Sequence, residues 1–217
     1  MTRFKNSFLM AIGVILVTSC EPSISFTDPQ PINTKNIFEF PKRVQGRYSN
    51  IDMTSNLEIG SNYIKRIDDY DSETPYKDLD SNLVIEGNTI IDKEAGEKYT
   101  FNRIGDTIII HHHEVNIFFE FDSDHVVRKM KGYYFLNTHL PSGVWEVKKL
   151  NFGQKEVSLC SISNEFDFEV LKEVTNTPKE QAMPYQFSPT TKQFRKFVRK
   201  NGFRECEIYS KRKNKIK

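Results

Sequence analysis

From Arg43 onward, the chain alternates between short apolar runs and polar neighbours, the pattern typical of half-buried strands. Turn sequences separate several of these runs. Gly87-Asn88 and Gly105-Asp106 suit the positive φ angles of tight hairpin turns, and Pro141-Ser142-Gly143 marks another reversal. The acidic stretch from Asp68 to Asp80 lacks such alternation, so we expect a solvated loop there. The pattern therefore predicts successive strands joined by short turns.

About nine such runs occur at roughly the 8–12-residue spacing of all-β domains. We therefore predict a mainly β fold, an antiparallel meander that forms either a barrel or a sandwich. The run from Phe166 to Val174 fits a strand or a short helix.

The C-terminal part of the chain has a helical pattern instead. Ser188-Pro189 is a typical helix start, with serine as the N-cap. Phe194, Phe197 and Val198 then share one helix face. We predict a helix over residues 189–200, followed by a last strand from Phe203 to Tyr209.

The first residues differ in composition from the rest of the chain. Arg3 and Lys5 precede ten uncharged, mostly apolar residues, Phe8 to Val17. A bilayer span needs about 20 such residues, but ten suit the apolar region of an export signal. Val17-Thr18-Ser19-Cys20 then places an aliphatic and two small residues before a cysteine.

This tetrapeptide resembles the lipobox of bacterial lipoproteins. The resemblance implies that residues 1–19 are removed and that Cys20 carries a diacylglyceryl thioether, usually with a further amide-linked acyl chain such as palmitate. Two or more acyl chains anchor a protein stably in a membrane. Glu21 is not the aspartate that favours inner-membrane retention, so the outer membrane of a Gram-negative cell is the expected location. The Lys-, Asn- and Ile-rich composition resembles that of uncharacterised Bacteroidota lipoproteins.

Four of the nine prolines, Pro22, Pro29, Pro31 and Pro41, fall just after the cysteine. Proline-spaced segments stay extended, so residues 20–41 are predicted to be the lipidated cysteine and a flexible tether. Residues 42–217 are then expected to form a single β-rich domain with its C-terminal helix.

Charge excludes one class of partner. Arg3 and Lys5 account for the formal net charge of +2, so the mature chain carries equal numbers of basic and acidic residues. Such a chain is not expected to bind nucleic acid. The last 26 residues are strongly basic, which fits either a solvated helix face or contact with anionic lipids or an acidic protein.

All five histidines lie between positions 111 and 139. Residues two apart on a strand share a face, so His111 and His113, with His125 from a neighbouring strand, form a candidate metal site. The alternative is an exposed polar strand. We expect no other cofactor.

Tyr133, Tyr134 and Trp145 form an aromatic group on neighbouring predicted strands. They are candidate ligand contacts, with core packing as the alternative. Cys160 and Cys206 remain after lipidation and could pair outside the cytoplasm or stay as buried thiols.

No nucleotide-binding loop, nucleophile elbow or Cys-x-x-Cys motif is present in the sequence. We therefore expect no enzyme, but a membrane-anchored module that binds a ligand or a protein partner in the cell envelope. Gly46-Arg47-Tyr48 is similar to the Gly-x-Trp start of lipocalins, with tyrosine for tryptophan. The predicted meander, the C-terminal helix and the aromatic clusters support an alternative function, a lipocalin-like carrier of a small apolar ligand. A histidine-dependent metalloprotein is the third hypothesis.

Overall fold

A computed structural model describes residues 22–162, 165–177 and 184–211 of the chain. These residues confirm the predicted mainly β fold, in which almost all strand pairs are antiparallel. The described strands are β1 (Ile24–Phe26), β2 (Asn36–Ile37), β3 (Gly46–Ser49), β4 (Ser55–Ile59), β5 (Tyr63–Pro75), β6 (Leu83–Glu86), β7 (Thr89–Asp92), β8 (Lys98–Ile104), β9 (Thr107–Glu120), β10 (His125–Met130), β11 (Tyr133–His139), β12 (Trp145–Phe152), β13 (Glu156–Ser161), β14 (Tyr185–Phe187) and β15 (Glu205–Lys211).

The strands form one continuous sheet in the order β2-β10-β11-β12-β13-β15-β3-β4-β5-β9-β8-β7-β6. β1 pairs with β12 and, in parallel, with β14. The two ends of this order do not pair with each other, so the sheet is not closed and remains barrel-like or sandwich-like. The last strand, β15, enters the middle of the sheet between β13 and β3.

The two longest strands, β5 and β9, pair from Tyr63 opposite Glu120 to Pro75 opposite Thr107. The first part of β5 joins β4, whereas the start of β9 joins β8. Residues 69–113 therefore extend from the main sheet as an arm, which has a small core of its own formed by Ile90, Phe101 and Ile108. The stretch expected to be an acidic loop forms strand as far as Pro75.

Two larger cores lie against the main sheet. Along β11, Tyr134 and Leu136 belong to one core and Phe135 to the other. Successive side chains of a strand point to opposite faces, so the two cores lie on opposite sides of the sheet. The second core includes Leu171 of the helix α1 (Glu165–Thr175) and Phe194 of the helix α2 (Thr191–Arg199).

The predicted helix over residues 189–200 is present as α2, but its start was predicted wrongly. Thr190, not Ser188, is the N-cap: its hydroxyl accepts a hydrogen bond from the Gln193 N–H, and the Gln193 side chain accepts one from the Thr190 N–H. This reciprocal capping box satisfies two backbone donors that a cap at Ser188 would leave unpaired. The run from Phe166 to Val174 is helical, as α1.

The predicted tether is wrong for residues 22–41. Ile24 and Phe26 are buried in the second core, and Phe40 is buried in the first. The sequence did not indicate this strand because its apolar run is short. The three residues of β1 are enough to pair with β12 and β14, but they form no recognisable alternating pattern between the prolines. The first strand of the folded domain, β1, therefore begins 18 residues before position 42.

Cys160 and Cys206 form a disulfide between directly opposed positions of β13 and β15. Of the two alternatives left open by the sequence, pairing is therefore the one observed. The bond closes a loop that contains α1, β14 and α2, and it joins the last strand covalently to the sheet.

Candidate ligand pocket at one end of the sheet

A cavity of about 330 Å³ lies where several strand ends meet. The β10–β11 turn at Gly132 and the β12–β13 turn at Gly153 lie on its border. Lys211, at the end of β15, pairs with Tyr48 of β3, and both residues also line the cavity. Because antiparallel hairpins place alternate turns at the same end of a sheet, distant parts of the sequence converge here.

The floor of this cavity, which we call the end pocket, is aromatic. It is formed by Tyr48, Tyr134 and Phe152, which belong to the first core or pack against it. The Phe152 ring centroid lies 5.4 Å from that of Tyr134 and 6.3 Å from that of Tyr48. The two ring pairs are inclined by 89° and 56°, so the pocket has an aromatic base of angled rings, and a ligand ring can pack against one of them.

The rim of the end pocket is basic. Its charged residues are the exposed side chains of Arg43, Lys129, Lys155, Lys211 and Glu156. Four of these five are cations, and none of the four forms an ion pair within the described residues. Two of the ammonium groups lie over the floor: Lys129 Nζ is 5.1 Å from the Tyr134 ring centroid, and Lys211 Nζ is 5.8 Å from that of Tyr48.

The two tyrosine hydroxyls of the floor differ. The Tyr48 hydroxyl donates to the Val44 carbonyl oxygen at 2.9 Å, and burial raises the pKa of this tyrosine. The Tyr134 hydroxyl is equally buried, with 2% of the residue exposed, yet it makes no hydrogen bond within the described part of the chain. A buried hydroxyl without a partner costs about 1–3 kcal/mol.

The end pocket combines charged and aromatic groups. Among the described residues that line it, no serine, threonine, cysteine, histidine or aspartate is found. The pocket therefore offers positive charge, one carboxylate and an aromatic surface.

The three aromatic residues predicted as ligand contacts are separated by the sheet. Tyr134 lines the end pocket, but Tyr133 and Trp145 pack against the second core on the opposite face. Trp145 also lies 4.7 Å from the His139 ring, measured between centroids. The structure therefore places one of the three at the end pocket, because adjacent residues of β11 point to opposite sides, and its contact with a ligand stays a prediction.

The structure does not bring the three candidate metal ligands together. His111 and His113 share a face of β9, as predicted, but each contacts its own aspartate across β5: His111 Nδ1 lies 2.8 Å from Asp71 Oδ1, and His113 contacts Asp69. His125 begins β10, and its Nδ1 lies 2.9 Å from Asp122 Oδ1 in the preceding turn. Among the described residues, no three histidine, cysteine or acidic side chains are grouped as metal ligands would be.

The basic rim was missed by the sequence reasoning, because Arg43, Lys129, Lys155 and Lys211 are distributed over four separate segments. The one signal in the sequence is the pair of glycine turns at Gly132 and Gly153, because they mark hairpin ends that meet at the pocket. Lys211 belongs to the basic C-terminal segment. Elsewhere in that segment, Lys196 and Lys200 pair with Glu173 of α1. Cys20, the predicted lipidation site, lies outside the described residues.

No protein-family model matches the chain, and neither a curated protein nor a solved structure is significantly similar to it. Within the residues that the structure describes, no helix combines the length and the hydropathy needed to cross a membrane.

Proposed function

We propose that this protein is a lipid-anchored binding module of the bacterial cell envelope, which holds a ligand in the end pocket and is not an enzyme. One observation carries the proposal. The end pocket joins four basic side chains, none of which forms an ion pair within the described residues, to an aromatic lining that includes Tyr134, whose buried hydroxyl has no partner in the described part of the chain. Such unsatisfied polar groups in a concave site are typical of ligand sites.

The anchor in this proposal rests on the sequence. The signal-like residues 1–19 and the lipobox-like Val17-Thr18-Ser19-Cys20 support export and lipidation at Cys20. The Cys160–Cys206 disulfide supports an oxidising compartment, because such bonds are rare in the cytosol. The outer membrane of a Gram-negative bacterium is the location that Glu21 favours.

The structure favours this binding mode over an apolar carrier of the lipocalin type. Aromatic rings fill the sheet interior: Phe40 packs 5.1 Å from Phe121 and 6.0 Å from Tyr134, measured between ring centroids. The sheet order is open, and the end pocket has a charged rim. An apolar ligand would gain little from four cations, so the end pocket does not suit one.

The proposal is tested by screening fragments against the mature chain, produced from residue 20 with Cys20→Ser to keep it free of lipid. Neutral, cationic and anionic fragments are added to ¹⁵N-labelled protein, and the backbone amides are followed by NMR. We expect at least one class to shift the Gly132, Gly153 and Lys155 amides in a saturable way. If no fragment of any class shifts these three amides, the end pocket is not a ligand site.

A further inference from the structure

We propose, building on the binding function above, that the end pocket takes a small organic phosphate. The phosphate group would lie between the basic rim residues and accept a hydrogen bond from the Tyr134 hydroxyl. Its organic part would pack on the Phe152 ring.

The first argument is the charge of the rim. The backbone N–H of Lys211 donates to the Lys155 carbonyl oxygen at 2.7 Å, so two lysines are held side by side at the end of the sheet. Like charges on adjacent strands destabilise a sheet. Lys129 approaches from the β10–β11 hairpin, and Arg43 from the 3₁₀ turn before β3. A dianionic group offsets this repulsion better than a neutral or singly charged one.

The second argument is the Tyr134 hydroxyl. Tyr134 lines the end pocket, and its buried hydroxyl has no hydrogen-bond partner in the described chain. A phosphate oxygen is a strong acceptor, and a hydrogen bond to a charged acceptor is roughly twice as strong as one between neutral groups. An apolar ligand would leave this hydroxyl unsatisfied, and a cation could only be accepted beside four positive side chains.

The third argument is size and shape. A cavity of about 330 Å³ is at the lower end of the range for small-molecule sites. It therefore suits a phosphate ester with one ring or a short chain, and the Phe152 and Tyr48 rings supply the apolar surface for it. Both a free phosphate ester and the headgroup of a phospholipid have this chemistry.

The test uses phenyl phosphate and isothermal titration calorimetry with the mature Cys20→Ser chain. Phenol, inorganic phosphate and benzylamine are the comparison probes. We expect phenyl phosphate to bind more tightly than each of the three, because only it presents both the dianion and the ring. Its affinity should fall as the salt concentration rises, since the rim charges are exposed and screened by ions.

Two triple variants separate the pocket from general positive charge. Lys129→Gln/Lys155→Gln/Lys211→Gln removes three rim cations. Its matched control is Lys77→Gln/Lys93→Gln/Lys98→Gln, which removes three exposed lysines from the arm. The rim variant should bind phenyl phosphate at least about tenfold more weakly, and the control should bind like the wild type. Tyr134→Phe should weaken binding by about three- to tenfold through loss of one hydrogen bond.

Vesicle sedimentation distinguishes the two sources of the phosphate. Phosphatidylcholine vesicles with and without phosphatidic acid are mixed with the Cys20→Ser chain and with both triple variants. A lipid headgroup is the ligand if the wild type and the arm control sediment with phosphatidic acid but the rim variant does not. A soluble ester is the ligand if phenyl phosphate binds while the three proteins sediment alike.

Failure of this inference differs from failure of the proposed function. If phenol or benzylamine binds in the end pocket more tightly than phenyl phosphate, the pocket is a ligand site but not one for phosphate. If the rim variant and the arm control bind phenyl phosphate equally, the inference is also wrong, because the phosphate then lies elsewhere. If no probe shifts the pocket amides, both proposals are wrong.

Discussion

The Asn137 side chain holds the backbone of Gln30 from both sides. Its Oδ1 accepts a hydrogen bond from the Gln30 N–H at 2.5 Å, and its Nδ2 donates to the Gln30 carbonyl oxygen at 3.0 Å. Both residues are fully buried. These two buried hydrogen bonds tie the N-terminal segment to β11, so that segment is part of the folded domain.

This relationship leads to a test of the N-terminal segment by two phenylalanine substitutions. Phe26→Ala should lower the free energy of unfolding by about 3–5 kcal/mol, because Phe26 is fully buried and its loss leaves a cavity. Phe38→Ala is the matched control, since Phe38 is 77% exposed and its loss should change stability by less than about 0.5 kcal/mol. Urea denaturation followed by circular dichroism measures both values.

A chain that starts at Ile37 should be destabilised even more, because it lacks β1 and the Gln30 contacts. If that truncated chain and Phe26→Ala both unfold at the wild-type urea concentration, the segment is a tether after all.

Much of the fold could be predicted, because a hairpin turn is encoded by two or three neighbouring residues. Gly87-Asn88 and Gly105-Asp106 do form the β6–β7 and β8–β9 turns, where the glycines have positive φ. The second half of β5 could not be recognised, since Asp69 and Asp71 alternate with residues that are also polar or exposed. Its pairing depends on the partner strand, where His113 and His111 face these aspartates.

The end pocket was harder to predict, for a reason of topology. Tyr134 could be identified as a candidate because it lies in an aromatic cluster. The rim could not, because the order of strands brings Lys155 and Lys211 together across 56 residues of sequence, and no local pattern encodes strand order. The same limit applies to Cys160 and Cys206, whose pairing depended on β13 and β15 becoming neighbours.

The disulfide should contribute measurably to stability. Cys160→Ala/Cys206→Ala is expected to lower the free energy of unfolding by about 2–4 kcal/mol, because the bond restricts a loop of 46 residues in the unfolded chain. Denaturation curves with and without reductant give the measurement. Reductant should lower the stability of the wild type to that of the double variant and leave the double variant unchanged. A reductant effect of equal size on both proteins would contradict this assignment.

Asp167 predicts a particular dependence of stability on pH. Burial raises the pKa of this carboxyl above its ordinary value of 3.8, although it accepts a hydrogen bond from the Arg204 N–H. The folded state therefore favours the protonated form. The resulting stabilisation is fully present below about pH 3.8 and is lost as the pH rises through the raised pKa.

Asp167→Asn removes this titration, so its stability relative to the wild type should increase as the pH rises from about 3 to about 7. The sign of this slope holds whatever constant difference the amide introduces. Asp52→Asn, which removes a carboxyl from an exposed turn, is the control. Thermal unfolding of the three proteins across this pH range gives the slopes, and a stability of Asp167→Asn that falls relative to the wild type as the pH rises would disprove the assignment.

In the proposed function, membrane attachment depends on Cys20. Cys20→Ala should abolish incorporation of labelled palmitate, because the thiol accepts the diacylglyceryl group and a methyl group offers no nucleophile. The uncleaved signal should then hold the precursor at the inner membrane. Cys160→Ala/Cys206→Ala is the matched control and should still be labelled. Label retained by Cys20→Ala would place the lipid elsewhere and end this part of the proposal.

The two floor tyrosines offer a final test, in protein without ligand. Tyr48→Phe should lower the free energy of unfolding by about 1 kcal/mol, because it removes the hydrogen bond to the Val44 carbonyl. Tyr134→Phe should instead raise it by about 1 kcal/mol, because it removes a buried hydroxyl that has no partner in the described chain.

Urea denaturation gives the free energy of unfolding of both tyrosine variants. Each variant lacks one oxygen atom, so the two are directly comparable. An equal loss of stability in the two would mean that the Tyr134 hydroxyl is already satisfied within the fold. Opposite signs, together with the weaker phenyl phosphate binding expected of Tyr134→Phe, would show a group that costs stability in the free protein and gains its partner from the ligand. Such a trade between stability and binding is expected of a ligand site and not of a core residue.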